Sequence, residues 1–72
     1  MDIATVIKRR RKTLKLSQND LAEMSGVSLA SIKNIERGVG NPSLATIEKI
    51  MDVIGMDIVF KVRSPFDCEN DN

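Results

Sequence analysis

At 72 residues the chain makes one domain at most, close to the lower size limit for a self-sufficient core. It carries 11 Lys and Arg against 10 Asp and Glu, two Phe, one Cys and no His, Trp or Tyr. This composition rules out an internal disulfide and argues against a metal site. With no long apolar run and no signal-peptide pattern, it leads to the expectation of a cytoplasmic protein with no membrane partner.

The net charge of +1 hides an uneven distribution. Three of the acids, Asp67, Glu69 and Asp71, lie in the tail, so residues 1–63 hold seven acids against eleven bases, or +4. Six of the bases fall between Lys8 and Lys15. Such a run is a solvated helix face or a phosphate-binding strip, and its neighbourhood decides which.

A first helix is expected from about Asp2 to Leu14, with Ile3, Val6, Ile7 and Leu14 on one stripe and Asp2 suiting the positive helix end. Ser17 reads as the N-cap of a second helix, with Asp20 three residues on, running to about Ser25. Leu21, Ala22 and Met24 form its inward face, and Ala22 lets another helix cross closely. Gly26 sits where the chain must reverse, at positive φ. Ser28 caps a third helix to about Glu36, whose apolar positions, together with Val27 before it, are Ile32 and Ile35. A loop through Gly38, Gly40, Asn41 and Pro42 leads to Ser43. That serine caps a fourth helix with Leu44, Ile47, Ile50, Met51 and Ile54 inside and Gly55 as its stop.

After Gly55 the period changes. Met56, Ile58, Phe60 and Val62 alternate with Asp57, Val59, Lys61 and Arg63, which predicts a strand. No other segment offers it a partner, and a lone strand is unstable in water. A two-fold homodimer pairing residues 56–63 is the economical solution. The alternative is an extended segment packed on the helices. The division expected is therefore 1–55 for the helical domain, 56–63 for the dimerisation strand and 64–72 for a disordered acidic tail.

Two short helices with a glycine turn between them are the outline of a helix-turn-helix, which places its second helix in a DNA major groove. The stretch LSQNDLAEMSGVSLASIKNIERG, with the RRK run before it and NPSLATIEKI after it, resembles the lambda-repressor-like Cro/XRE family of DNA-binding domains over about residues 7–54. The resemblance implies a mainly α fold of four to five helices, here followed by the dimerisation strand.

The family pattern implies that base edges are met by Ser28, Leu29, Ala30, Lys33 and Asn34. Chemically, Lys33 can donate to guanine O6 or N7, Asn34 can pair bidentately with adenine or hold a phosphate, and Leu29 or Ala30 can meet a thymine methyl. Many family members carry polar side chains where Leu29 and Ala30 stand, which shifts weight toward methyl contacts and DNA shape. Leu29 also has the alternative of a packing or dimer contact. Ser17 and Gln18 at the start of the second helix, with Arg10 and Ser31, are the phosphate candidates. Arg11 and Glu36 match a family ion pair that joins the first helix to the end of the third.

The helix-to-strand join GMDIVFKV resembles HipB-type antitoxins, which implies operator autoregulation and binding of a HipA-like kinase toxin. A stand-alone regulator and an interaction module that no longer binds DNA are the alternatives. Phe66 with Asp67 and Glu69 would offer a partner an apolar anchor flanked by charge. No enzyme and no cofactor is expected: there is no His and no Gly-rich phosphate loop, and Cys68 has no base beside it.

Overall fold

Each helix of the chain opens on a short polar side chain that accepts a hydrogen bond from the amide three residues ahead. Asp2 takes the Thr5 amide, Ser17 that of Asp20, Ser28 that of Ser31 and Ser43 that of Thr46. These caps start α1 (Ile3–Thr13), α2 (Gln18–Ser25), α3 (Leu29–Glu36) and α4 (Leu44–Ile54) in a computed structural model that describes residues 2–64. At Ser17 the bond is reciprocal, since the Asp20 carboxylate accepts the Ser17 amide in turn. That amide, with the Ser17 hydroxyl, holds the Asp20 carboxyl below its ordinary pKa.

The stops differ from one another. Gly26 ends α2 at φ 74°, and a Cβ there would meet nothing within 4 Å, so the glycine answers a dihedral requirement and not a lack of space. Gly55 ends α4 at φ 69°, with its own amide and that of Met56 both donating to the Met51 carbonyl. α1 ends through Lys15 at φ 59°, a left-handed conformation without a glycine. The Leu16 amide reaches back to the Arg11 carbonyl across that turn.

α1 packs on α3 and α4, and α2 packs on the same two helices. Ile7, Leu21, Ile32, Ile50 and Ile54, drawn from all four helices, are fully buried, and Ala22, Ile35, Ile47 and Met51 complete the core. Burying each large aliphatic side chain contributes about 1.5–3 kcal/mol.

The structure corrects four of the expected inward positions: Ile3, Leu14, Met24 and Leu44 are all exposed. Ile3, Leu14 and Leu44 lie at or just beyond a helix end, and Met24 lies in the last turn of α2. There the periodic stripe runs past the edge of a small body.

The expected strand is not formed within the single chain. Among the described residues there is no strand, and residues 56–64 carry no regular structure. A ladder needs a second backbone, and none of the four helices can supply one. Met56 and Ile58 pack on the core, whereas Val59, Phe60 and Val62 are 80–90% exposed. Pro65, Phe66, Cys68 and the rest of the acidic tail lie outside the described residues. No helix among the described residues is long and apolar enough to cross a membrane.

Candidate nucleic-acid interface

The tight turn at Gly26 brings the start of α2 and the exposed side of α3 onto one assembly, braced from beneath by a buried ion pair. Arg11 of α1 donates from Nε to Glu36 Oε2 at 2.7 Å and from Nη2 to Oε1 at 2.9 Å. Its Nη1 donates to the Leu16 carbonyl at 2.8 Å. Both residues are 8% exposed. This bidentate fork ties α1 to the last turn of α3 and to the connection leading into α2. The pair named from sequence is therefore formed.

Burial would raise the Glu36 pKa. Hydrogen bonds from Arg11 and Gln18, and the positive charges of Arg11 and Lys8, more than offset that effect and hold the carboxyl below its ordinary value. A charged Glu36 is thus neutralised internally by Arg11.

Gln18 is half-buried and donates from Nε2 to Glu36 Oε1 at 3.2 Å. Its second amide proton and its carbonyl remain for an outside partner. Ser17 has its hydroxyl and backbone amide engaged in the reciprocal cap with Asp20. Arg10, a phosphate candidate, also makes a contact within the body. Its Nε donates to the Ile54 carbonyl at 2.9 Å, so it caps the end of α4. Nothing local in the sequence announces that contact, because the partner lies 44 residues away.

Along α3 the candidates separate. Ser28 spends its hydroxyl on the cap, accepting the Ser31 amide and donating to the Ser31 hydroxyl at 2.8 Å. Ser31 is half-buried and keeps its own hydroxyl proton to donate. Leu29 is half-buried against the core, which agrees with the packing alternative for that residue. Ala30, Lys33 and Asn34 are exposed at helical spacing, and exposed Arg37 continues their stripe. Arg37 donates from Nη2 to Asn34 Oδ1 at 2.6 Å, a contact that was not read from the sequence. An Arg three residues after an Asn was its only sequence signal, and that spacing is commonplace.

No group of three or more His, Cys, Asp or Glu among the described residues is placed to hold a metal. Every buried side-chain nitrogen and oxygen among them has a hydrogen-bond partner. The buried polar groups of the described body are therefore satisfied among themselves.

Comparison with known proteins agrees with this geometry. A family model described as "Helix-turn-helix" matches residues 7–61. An immunity repressor protein of Bacillus phage phi105 is 38% identical over 58 residues, which cover 81% of this chain and 40% of the repressor. Archaeal proteins named as HTH-type transcriptional regulatory proteins, from Saccharolobus islandicus and Saccharolobus solfataricus, are 35% identical over 54 residues, covering 75% of this chain and 17% of theirs. The chain thus spans less than half the length of these relatives. Each residue argued above to carry the helix-turn-helix lies within the matched span. The chain belongs to the Cro/C1-type helix-turn-helix family of DNA-binding regulators.

Proposed function

We propose that this protein is a sequence-specific, cytoplasmic transcriptional repressor that binds an inverted-repeat operator as a homodimer. The observation that carries the reading is the exposed stripe Ala30, Lys33 and Asn34 on a helix whose register is locked from below by Arg11 and Glu36. A reading helix must be held in place while its outward side chains stay accessible, and α3 meets both conditions. The repressor name of the phage relative supports the same reading. Lys33 and Asn34 meet base edges, Ala30 and the edge of Leu29 approach thymine methyls, and Gln18 and Ser31 contact phosphate. The exposed apolar side chains Phe60 and Val62 support the pairing of residues 56–63 across a two-fold axis.

The test is binding to duplexes carrying two half-sites about 34 Å, or a multiple of that, apart. Lys33→Ala and Asn34→Ala should lower discrimination between operator and random DNA. Gln18→Ala should weaken both to the same degree, because a phosphate contact carries no sequence information. A Gln18→Ala variant that changed only sequence preference would reverse these assignments.

The finer reading is a HipB-type antitoxin that also binds a HipA-like kinase toxin. It is supported by the join of a four-helix body to an alternating apolar segment at Gly55. The stand-alone regulator is favoured by the names of the relatives, which speak of repression and regulation. Co-expression with the neighbouring gene product and pull-down separates the two. Recovery of a kinase bound to the dimer supports the antitoxin, and recovery of the dimer alone supports the regulator.

A further inference from the structure

The segment that leaves α4 at Gly55 has two unequal halves. By its period of two, Met56, Ile58, Phe60 and Val62 share one face, and Asp57, Val59 and Lys61 share the other. The chain's own body covers only the first half of the apolar face. Met56 and Ile58 pack on the core, whereas Phe60 and Val62 are 80% and 90% exposed. The boundary between the two halves falls at Val59.

A second copy pairing with this segment about a two-fold axis has few registers open to it. Directly opposed residues of an antiparallel pair point to the same side, so the apolar face stays whole only if odd numbers oppose odd and even oppose even. The axis must then pass through a residue that stands opposite its own copy. Centring on Ile58 sets Val62 against Ile54, which is the last residue of α4 and has no extended backbone to offer. Centring on Phe60 sets Met56 against Ser64 and Lys61 against Val59, so an apolar residue loses its match on each face. Centring on Val59 leaves neither defect.

We propose that a second copy of the chain docks with Val59 opposite its own counterpart, so that Met56 faces the partner's Val62, Asp57 the partner's Lys61 and Ile58 the partner's Phe60. This rests on the reading that residues 56–63 pair across a two-fold axis. The uncovered half of each segment then lies beside the half that the other body already anchors. Phe60 and Val62 of one chain extend the core of the other at Ile58 and Met56. The opposite face matches as well. Asp57 and Lys61 form a cross-strand pair of opposite charge, repeated by symmetry on either side of two facing valines. The ladder ends where Gly55 turns left-handed at φ 69°.

The test is a charge exchange between full-length chains, read by sedimentation equilibrium. Asp57→Lys and Lys61→Asp should each weaken self-association by about tenfold, because two cross-strand pairs become like-charged at once. An equimolar mixture of the two variants should recover a heterodimer near wild-type strength, since every lysine then faces an aspartate on the other chain. In a Cys68→Ser background, Val59→Cys should cross-link to its own copy on oxidation. Phe60→Cys should do so far more slowly, as its copy would lie diagonally about 7–8 Å away, too far for an unstrained disulfide. Asp57, Val59, Phe60 and Lys61 are exposed and lie outside the helices, so these variants keep the helical body, which circular dichroism verifies. A mixture that associates no more tightly than either variant alone, or cross-linking no faster at Val59→Cys than at Phe60→Cys, would overturn this register and leave the dimer standing. Wild type that sediments as a monomer at micromolar concentration would overturn the register together with the dimer on which it rests.

Discussion

The two ends of the described chain use apolar residues in opposite ways. In the helical body, Ile7, Leu21, Ile32, Ile50 and Ile54 meet at the centre, and the polar groups that join them underground are fully paired. Beyond Gly55, Met56 and Ile58 continue that burial for one turn of alternation. Val59, Phe60 and Val62 then stand in solvent. The body closes on itself as one chain, while the segment leaves an alternating apolar pattern uncovered. Hydrophobicity alone therefore does not say what is core; the availability of an opposing surface does.

The sharpest break of this contrast is at the buried ion pair. Arg11→Ala should cost about 3–5 kcal/mol, because it leaves Glu36 charged and uncompensated inside the body. The adjacent exposed Lys12→Ala should cost less than about 0.5 kcal/mol. Equal midpoints in urea melts would show that the pair contributes nothing.

Phe60→Asp tests the other side. Phe60 is 80% exposed in one chain, so the substitution should leave the helical signal intact while halving the mass seen by sedimentation at micromolar concentration. Loss of helix instead would mean that the segment belongs to the body after all.

Acid should unpick the body gradually. Glu36 titrates below its ordinary value in the folded state, so its contribution is present above the unfolded pKa near 4.5 and is lost as pH falls through the lower folded value. Stability measured from pH 6 downward should fall more steeply in wild type than in Glu36→Gln over that acidic window. Parallel curves would remove Glu36 as the cause.

The smallest expected effect is a gain. Lys15 holds φ 59°, a conformation that costs a side-chain-bearing residue about 1 kcal/mol. Lys15→Gly should raise stability by up to about that amount, less the added freedom of the unfolded chain. A fall in the melting temperature would indicate that the Lys15 side chain makes a compensating contact.

Helix starts were legible because they are local chemistry. Ser17, Ser28 and Ser43 each cap the helix they were read to begin, and Gly26 and Gly55 each take the left-handed turn. The stop at Lys15 was not legible, since the residue that usually marks that conformation is absent. Ile3, Leu14, Met24 and Leu44 share the period of the core residues, and periodicity does not report how far the opposing helix extends. Of the site, the Arg11–Glu36 pair could be named from its resemblance to a family pattern. The bonds from Arg10 to Ile54 and from Arg37 to Asn34 could not, because each depends on where a flexible cation settles after the backbone has folded.

The Arg10 contact reaches further than its own end of the molecule. The guanidinium clasps the carbonyl immediately before Gly55, the joint from which the exposed segment departs. In a dimer built through that segment, this joint is the elbow that sets how far apart two reading helices stand. Arg10 would then act as a calliper screw: loosening it changes no letter of the operator, but it widens the range of gaps between half-sites that the same two helices can straddle.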